Sequence, residues 1–265
     1  MTPHITAIGS GKGGTGKTLV AVSLAYALAH AGERILLCDA DLGLSNATVH
    51  LGLEDGGNLP CVLKGDCAVT DAVVPLLGGL VKKGGFDLLS APAGSGILAN
   101  ATAEDARRLL ITLRAAQNYD RIILDLGAGV SDTTMMFACA ADDVLLVMTP
   151  DPAALTDAYA FAKLMTRHAS TSVPLVLVNN AANDSEARRT FDALDATARA
   201  FLKYELKYLG GVPRDPKAAD AVRRQCHLLR LYPQAAASVA IETVARTLHN
   251  RNEKNPSPSL RAGMR

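Results

Sequence analysis

The chain alternates short apolar runs with longer segments in which apolar residues recur at helical spacing. The apolar runs predict strands at residues 5–8, 34–38, 86–90, 121–125, 144–148, 174–180 and 206–212. The longer segments predict helices at residues 19–31, 102–118, 152–168, 184–203, 218–226 and 235–249, with short, glycine-broken helical patterns between residues 45 and 80. Strands that alternate with helices in this way predict an α/β fold, a doubly wound, mostly parallel sheet flanked by helices.

Polar residues at the predicted helix starts support this pattern. Thr102 followed by Asp105 is a capping-box signature, and Asp151 fits an N-cap ahead of Pro152. Asp184 is the expected cap of the next helix along the chain. In the helix predicted at 235–249, four apolar residues share one face, which we expect to pack on the sheet: Ala237, Ile241, Val244 and Leu248.

A glycine-rich stretch joins the first predicted strand to the first predicted helix. Residues 9–18 have the sequence Gly-Ser-Gly-Lys-Gly-Gly-Thr-Gly-Lys-Thr. Glycines let a backbone turn tightly and bring its N–H groups close to a polyphosphate, and the start of a helix favours an anion. This stretch therefore predicts a phosphate-binding loop in which Lys17 reaches the β- and γ-phosphates and Thr18 ligates Mg²⁺. The alternative is a glycine-rich surface turn.

Two later strands end in acidic residues. Asp39 and Asp41 follow the strand at 34–38, and Asp125 ends the strand at 121–125, ahead of Gly127. Open α/β sheets bind ligands at the carboxyl ends of their strands, where a magnesium–nucleotide complex would compensate these carboxylates. An acidic turn after a strand more often caps a helix, but its place one βα unit after the loop favours a functional role.

Composition sets the broad class. The 265 residues are 49% hydrophobic and 20% charged with a formal net charge of +1, which suits one large α/β domain and gives no overall field that attracts nucleic acid or acidic lipid. We expect that domain at residues 1–250 and a mobile tail at 251–265. The five cysteines form no Cys-x-x-Cys pair, so we expect reduced thiols and a cytoplasmic location.

The run Gly-Lys-Gly-Gly-Thr-Gly-Lys-Thr, with its extra lysine Lys12, resembles the deviant Walker A loop of the MinD/ParA family of ATPases. Residues 39–46 resemble that family's switch I, and residues 125–129 its Walker B (switch II) element. The resemblance implies ATP and Mg²⁺ as cofactors and a homodimer that forms on ATP binding. Lys12 would then take a catalytic role by reaching the partner's nucleotide, as an arginine finger does. The alternative is a solvated lysine.

The same resemblance implies roles around the phosphates. Catalysis would involve Lys17 and also Asp41, which orients the attacking water. Thr18 would hold Mg²⁺ directly, while Asp39 and Asp125 would support its shell.

The adenine site is also implied by the resemblance. In the family, an asparagine after a late strand and a loop with a Val-Pro pair flank the base. Here the matches are Asn179 and Val212-Pro213, with Asp215 close behind, although Asn180 stands where relatives commonly have a basic residue. A turn residue at the end of a strand is the alternative for Asn179. The predicted cofactor-binding residues are Gly11, Lys12, Gly13, Gly14, Thr15, Gly16, Lys17, Thr18, Leu19, Asn179, Pro213 and Asp215.

Three further runs are Leu-Gly-Leu-Ser-Asn at residues 42–46, Asp-Leu-Gly-Ala-Gly at 125–129 and Thr-Pro-Asp-Pro-Ala-Ala-Leu-Thr-Asp-Ala-Tyr at 149–159. With the glycine-rich loop, they make the chain look most like the FlhG type (also called FleN or YlxH), which sets the number and placement of bacterial flagella. The resemblance implies a switch that hydrolyses ATP to ADP and phosphate and is read by a flagellar GTPase of the FlhF type or by a flagellar transcription regulator. Only eight residues precede Gly9, so the segment with which many such proteins stimulate that GTPase is not expected. Peripheral binding at the inner face of the cell membrane stays an open alternative.

Two other classes compete with this interpretation. A ParA-like protein would bind DNA nonspecifically in its ATP dimer, for which the chain offers a basic cluster. An iron–sulfur carrier on the same fold would need suitably placed cysteines, and Cys61 and Cys67 are the pair to consider. The basic cluster consists of Arg214, Lys217, Arg223, Arg224, His227 and Arg230.

Overall fold

The computed structural model describes residues 2–41, 47–91, 102–168 and 172–254. Within these residues one sheet contains the strands β1 (His4–Gly9), β2 (Ile35–Ala40), β3 (Val74–Leu76), β4 (Phe86–Leu89), β5 (Arg121–Leu126), β6 (Asp143–Met148), β7 (Leu175–Ala181) and β8 (Lys207–Pro213). Their spatial order is β3-β4-β2-β5-β1-β6-β7-β8, and every neighbouring pair is parallel except β3 with β4. The predicted mostly parallel sheet is confirmed.

Helices cover both faces of this sheet. They are α1 (Lys17–His30), α2 (Ala47–Leu51), α3 (Leu59–Lys64), α4 (Val69–Ala72), α5 (Ala103–Arg114), α6 (Asp132–Ala140), α7 (Pro152–Arg167), α8 (Asp184–Leu202), α9 (Pro216–Arg223), α10 (Leu228–Leu231) and α11 (Ala236–Lys254). Helices α1, α10 and α11 pack on one face, and α5 to α8 pack on the other. Because both faces are covered, every residue of β1, β2, β5 and β6 is buried.

Strand β1 lies at the centre of the sheet, and this position brings the predicted motifs together. It pairs with β5 on one side and with β6 on the other, while β5 also pairs with β2. In this register Asp125 is opposite both Ile8 and Asp39. The glycine-rich loop and the two acidic strand ends therefore meet at the carboxyl edge of three adjacent strands, where open α/β sheets bind ligands.

The caps were largely predictable, because they depend on residues close in sequence. Thr102 and Asp105 form the reciprocal capping box of α5, and Asp151 caps α7 with Pro152 in its first turn. The prediction that Asp184 caps α8 is wrong, since Asn183 accepts the backbone N–H of Glu186 and the helix starts at the next residue. Helix α5 also ends at Arg114, four residues before the predicted end.

Strand β3 and helix α6 are among the elements that the sequence analysis missed, and each has a physical reason. Strand β3 has only three residues and contains Pro75, which removes a ladder donor and suits the edge of the sheet that it occupies. Helix α6 carries the run Met135, Met136, Phe137, which gives no amphipathic period. The short helical patterns predicted between residues 45 and 80 are confirmed as α2, α3 and α4.

One pair of cysteines corrects the expectation of five reduced thiols. Cys61 and Cys67 form a disulfide with their Cα atoms 5.7 Å apart, while Cys38, Cys139 and Cys226 are free. The bridge joins α3 to the turn that follows it, so it closes a short local loop.

A buried ionic network lies at the amino edge of the sheet. The guanidinium of Arg121 is fully buried and donates to Glu33 (2.7 Å), to the hydroxyl of Thr6 (2.8 Å) and to the carbonyl of Leu248 (3.3 Å). Glu33 also contacts Nδ1 of His249 at 2.6 Å. Because Leu248 and His249 belong to α11, the network fixes the last turns of that helix to the strands.

Helix α11 packs as the sequence predicts. Its four apolar residues are buried against α1 and β8: Ala237, Ile241, Val244 and Leu248. None of the described helices has the length and apolar content that a membrane crossing requires. The helix continues to Lys254, and the division into a domain at 1–250 and a tail at 251–265 stays a prediction, because residues 255–265 lie outside the described residues.

Candidate functional site

The glycine-rich loop forms an open cradle between β1 and α1. Gly14 and Gly16 have positive φ angles of 79° and 82°, which favour glycine, and Gly16 is the N-cap of α1. A Cβ atom at Gly13 or Gly14 would meet no atom within 4 Å, so the loop backbone faces open space. The opposite holds at Gly11, where a Cβ would lie 2.2 Å from the carbonyl oxygen of Asp157. The loop is thus packed on α7 at one end and open to a ligand at the other.

Lys17 and Asp125 form a buried ion pair beneath the loop. The Nζ atom of Lys17 is 2.6 Å from Oδ1 of Asp125, and their side chains are 8% and 1% exposed. Each charge therefore balances the other in the structure. For Lys17 to hold phosphates, its ammonium must exchange the carboxylate for phosphate oxygens.

Asp39 and Asp41 stand beside this pair with different environments. The carboxylate of Asp39 is buried and accepts the backbone N–H groups of Asp41 (3.2 Å) and Ala47 (2.9 Å). It thereby ties the end of β2 to the first residue of α2. Asp41 is half-buried, and a Cβ at Gly127 would lie 3.4 Å from its Oδ1 atom, so Asp41 contacts the loop that follows β5. Residues 42–46 of the predicted switch I lie outside the described residues.

Lys12 is held at the rim of the loop by the cap of another helix. Its Nζ atom donates to Oδ1 of Asp151 at 2.7 Å, and the hydroxyl of Thr149 donates to the other oxygen. The hydrogen bond from Lys12, followed by that from Thr149, keeps the pKa of Asp151 well below its usual range. The side chain of Lys12 is 34% exposed, and Lys12 does not line either of the cavities of the described residues that adjoin the loop.

Two cavities flank the loop and share its residues Gly14, Thr15 and Gly16. One, of about 290 Å³, lies against the phosphate loop and is further lined by Ser10, Gly13, Lys17, Thr18, Asp41, Val49, His50 and Ala128. The other, of about 500 Å³, is mostly apolar, and its lining includes Leu19, Asn179, Val212, Pro213 and Asp215. The structure therefore gathers the predicted base-binding residues around one cavity and most of the predicted phosphate-binding residues around its neighbour.

Two residues of the predicted adenine site also make hydrogen bonds that connect elements of the fold. The amide of Asn179 donates to the carbonyl of Thr15 at 2.7 Å, which ties β7 to the glycine-rich loop. The carboxylate of Asp215 caps α9 through the N–H of Lys217 (2.9 Å) and accepts the N–H of Ala237 near the start of α11 (3.1 Å). Both line the cavity, so these bonds fix its shape.

The residues present fit a magnesium–nucleotide complex. The hydroxyl of Thr15 is buried without a hydrogen-bond partner in the described residues, and the backbone of Gly13 and Gly14 has open space above it. Thr18, Asp39 and Asp125 supply only oxygen atoms, which Mg²⁺ prefers, and Mg²⁺ is commonly bound through one or two carboxylates together with substrate phosphates. Among the described residues no group of three or more His, Cys, Asp or Glu side chains could hold a metal on its own. Cys61 and Cys67, the pair considered for an iron–sulfur cluster, are bonded to each other.

The basic cluster considered for DNA binding has less free positive charge than its sequence suggests. Arg223 and Arg224 both pair with Asp220, and Lys217 lies over the ring of Tyr232 at 5.6 Å. His227 is buried, and burial lowers its pKa to about 4, so its ring is neutral near pH 7. The pattern along the sequence overstated the available positive charge.

The sequence analysis missed a polar residue of the smaller cavity. His50 lines the smaller cavity although it belongs to none of the motifs. Helical spacing was the signal that could have found His50. Ala47 begins the short helix after the acidic turn, and His50, three residues later, shares a face of that helix with it.

Comparisons with known proteins agree with this geometry. A family model named ParA, described as NUBPL iron-transfer P-loop NTPase, matches residues 2–249. The antiactivator FleN of Pseudomonas aeruginosa is 36% identical over 243 residues, which cover 91% of this chain and 85% of FleN. The flagellum site-determining protein YlxH of Helicobacter pylori is 31% identical over 249 residues, covering 93% and 82%.

Solved structures share the fold. The septum site-determining protein MinD from Pyrococcus horikoshii, complexed with Mg-ADP, superposes with a TM-score of 0.76 at 23% identity, covering 93% of this chain and 96% of that one. The family model extends over almost all described residues, and the two sequence relatives match more than nine-tenths of the chain. The chain therefore belongs to the ParA/MinD family of P-loop NTPases and is an ATPase.

Proposed function

We propose that this ATPase is a dimerising switch that regulates flagellar number or placement. The similarity to FleN and YlxH over nearly the whole chain supports the flagellar role. The position of Lys12 is the observation that supports a switch by dimerisation. It belongs to the phosphate loop, yet its ammonium points to Asp151 at the rim and lines neither cavity that adjoins the loop in the described residues. A lysine in this place serves a second subunit better than its own.

Each predicted residue has a part in this cycle. Lys17 holds the β- and γ-phosphates of ATP after it exchanges Asp125 for them, and Asp41 orients the attacking water. Thr18 would ligate Mg²⁺ and Asp39 and Asp125 would support its shell, and the ion would neutralise charge on the phosphates. The base lies in the cavity lined by Leu19, Asn179, Pro213 and Asp215.

Dimerisation requires Lys12 to change partner. In the structure it is paired with Asp151 of its own chain in a half-exposed contact, which is worth little because water screens it. Release of this contact is therefore inexpensive, and the triphosphate of a second subunit is the more strongly charged partner. A flagellar GTPase of the FlhF type or a flagellar transcription regulator would read the resulting dimer.

Light scattering tests the switch directly. The Asp41→Ala variant should bind Mg·ATP, hydrolyse it slowly and accumulate as a dimer. Adding Lys12→Ala to that variant should leave nucleotide binding intact and keep the protein monomeric, whereas adding Lys163→Ala, an exposed lysine on α7, should change nothing. A monomer in saturating Mg·ATP with Asp41→Ala alone contradicts the switch.

Cell and DNA experiments separate the flagellar role from the alternative. Deleting the gene should change the number or the position of flagella per cell. ATP-dependent retention of the Asp41→Ala dimer on nonspecific DNA at low salt, with a steep loss as salt rises, would instead favour a ParA-like positioning protein. The pairing of Arg223 and Arg224 with Asp220 argues against that outcome, because it neutralises part of the positive charge.

A further inference from the structure

His50 is the feature of the phosphate cavity that the roles above leave unused. It lies on α2 and lines the cavity of about 290 Å³ together with Lys17, Thr18 and Asp41. Its ring makes no hydrogen bond in the described part of the chain, although the residue is only half exposed. A polar ring beside the phosphate loop without a partner of its own is available to a ligand.

The two cavities indicate which part of a nucleotide would reach His50. They meet at Gly14, Thr15 and Gly16, and only the larger one contains Asn179 and Pro213. A nucleotide whose base lies in the larger cavity therefore runs its phosphates over the shared loop. The far end of that chain lies in the smaller cavity, where His50 stands.

The electrostatic surroundings make the ring a hydrogen-bond donor rather than a fixed charge. Burial lowers the pKa of His50, the charge of Asp125 opposes that shift, and the charge of Lys17 adds to it. The imidazole is accordingly neutral near pH 7 and carries one N–H group.

Helix α2 is held firmly enough to position that group. At its start, the N–H of Ala47 donates to Asp39 at 2.9 Å. In its middle, the carbonyl of Val49 accepts the side-chain amide of Gln225 at 3.1 Å. A Cβ at Gly52 would lie 2.9 Å from Cβ of Gln225, so the turn after α9 also packs closely against the end of α2.

We propose that His50 donates a hydrogen bond to the terminal phosphate of bound ATP and so makes the site prefer ATP to ADP. This inference rests on the proposed function, because it assumes that the base and phosphates occupy the two cavities as described. His50 would then be a residue that distinguishes the ATP-bound from the ADP-bound state of the switch. Asp39, which anchors α2, would connect the magnesium shell to that discrimination.

Affinities for two nucleotides test the proposal. Fluorescently labelled ATPγS and ADP would be titrated in Mg²⁺ into the wild type and into His50→Leu, His50→Gln and Lys163→Ala. Lys163→Ala is the control, since this exposed lysine on α7 lines neither cavity of the described residues. His50→Leu should weaken ATPγS binding about tenfold, the usual effect of losing one hydrogen bond to a charged group, and leave ADP binding within about twofold. His50→Gln should recover most of the loss, and Lys163→Ala should show none.

Other outcomes overturn the proposal. Equal losses for both nucleotides would mean that His50 only supports the structure, and unchanged affinities would mean that it touches no phosphate. If His50→Leu fails to fold, the ring resonances of His50 in the wild type decide by NMR, because ATPγS should shift them and ADP should not. A wild type that binds neither nucleotide would instead refute the site underlying the proposed function.

Discussion

Replacing Lys17 by alanine should damage the protein in two separable ways. The substitution removes the ammonium group that balances the charge of Asp125, and the Asp125 side chain is only 1% exposed. Breaking a buried pair from one side costs about 3–5 kcal/mol of unfolding free energy, because the remaining charge is left uncompensated. Lys17 lines the adjoining cavity, so water can enter the space that its side chain leaves and solvate Asp125, which favours the lower end of about 3 kcal/mol.

The expected stability loss is measurable without any ligand. About 3 kcal/mol corresponds to a fall in Tm of roughly 6–12 °C for a chain of this size. Urea denaturation of the wild type, Lys17→Ala, Asp125→Ala and the double variant gives the coupling between the two residues. The double variant should be more stable than Lys17→Ala, since it no longer buries a lone carboxylate. Lys163→Ala is the control and should stay within about 0.5 kcal/mol of the wild type.

The same variant tests the phosphate site. Lys17→Ala should abolish detectable nucleotide binding even at temperatures where it is folded. If its stability equals that of the wild type, the ion pair with Asp125 does not form in solution. If its nucleotide affinity survives, the interpretation of the loop is wrong.

Two further predictions concern the same architecture. Gly11→Ala should lower the unfolding free energy by about 2 kcal/mol or more, because its Cβ would lie 2.2 Å from the carbonyl oxygen of Asp157. Gly13→Ala has open space around its Cβ and should be nearly neutral. Thermal denaturation compares the two variants, and equal effects would contradict the packing of the loop. Burial lowers the pKa of His227 to about 4 from 6.5, so as pH falls the imidazole is protonated in the unfolded chain before it is protonated in the folded one. This group alone should therefore lower the unfolding free energy by about 2 kcal/mol between pH 7 and pH 5. Urea denaturation at both pH values should show that part of the loss missing in His227→Asn, and an unchanged pH dependence would contradict it.

The parts that the sequence predicted are those with local signals. Apolar runs and caps located most strands and helices, and the loop at residues 9–18 could be interpreted because strand, turn and helix follow one another directly. Asp39 and Asp125 were found separately, and the parallel sheet then placed them opposite each other. The fold and the positions of the motifs can thus be predicted from local sequence patterns together with one rule, that open α/β sheets bind ligands at the carboxyl ends of their strands.

The parts that were not predicted depend on distant contacts or on ambiguous local choices. The pairs Lys17–Asp125 and Lys12–Asp151 join residues more than a hundred positions apart. The hydrophobic periodicity along the chain does not predict such pairs. Asn183 and Asp184 are both good caps, and only the backbone geometry selects the first. His50 was overlooked because a single histidine in a short helix carries no motif.

The ionic network around Arg121 has a consequence for where this molecule can be attached to other things. Leu248 and His249 are bound to the amino edge of the strands, while Lys12 and the phosphate loop occupy the carboxyl edge. A strand of six residues separates the two edges by roughly 20 Å. A dye or tether joined to the end of helix α11 would therefore leave from the edge opposite the face that we propose meets the second subunit, so a subunit immobilised there should still be able to dimerise.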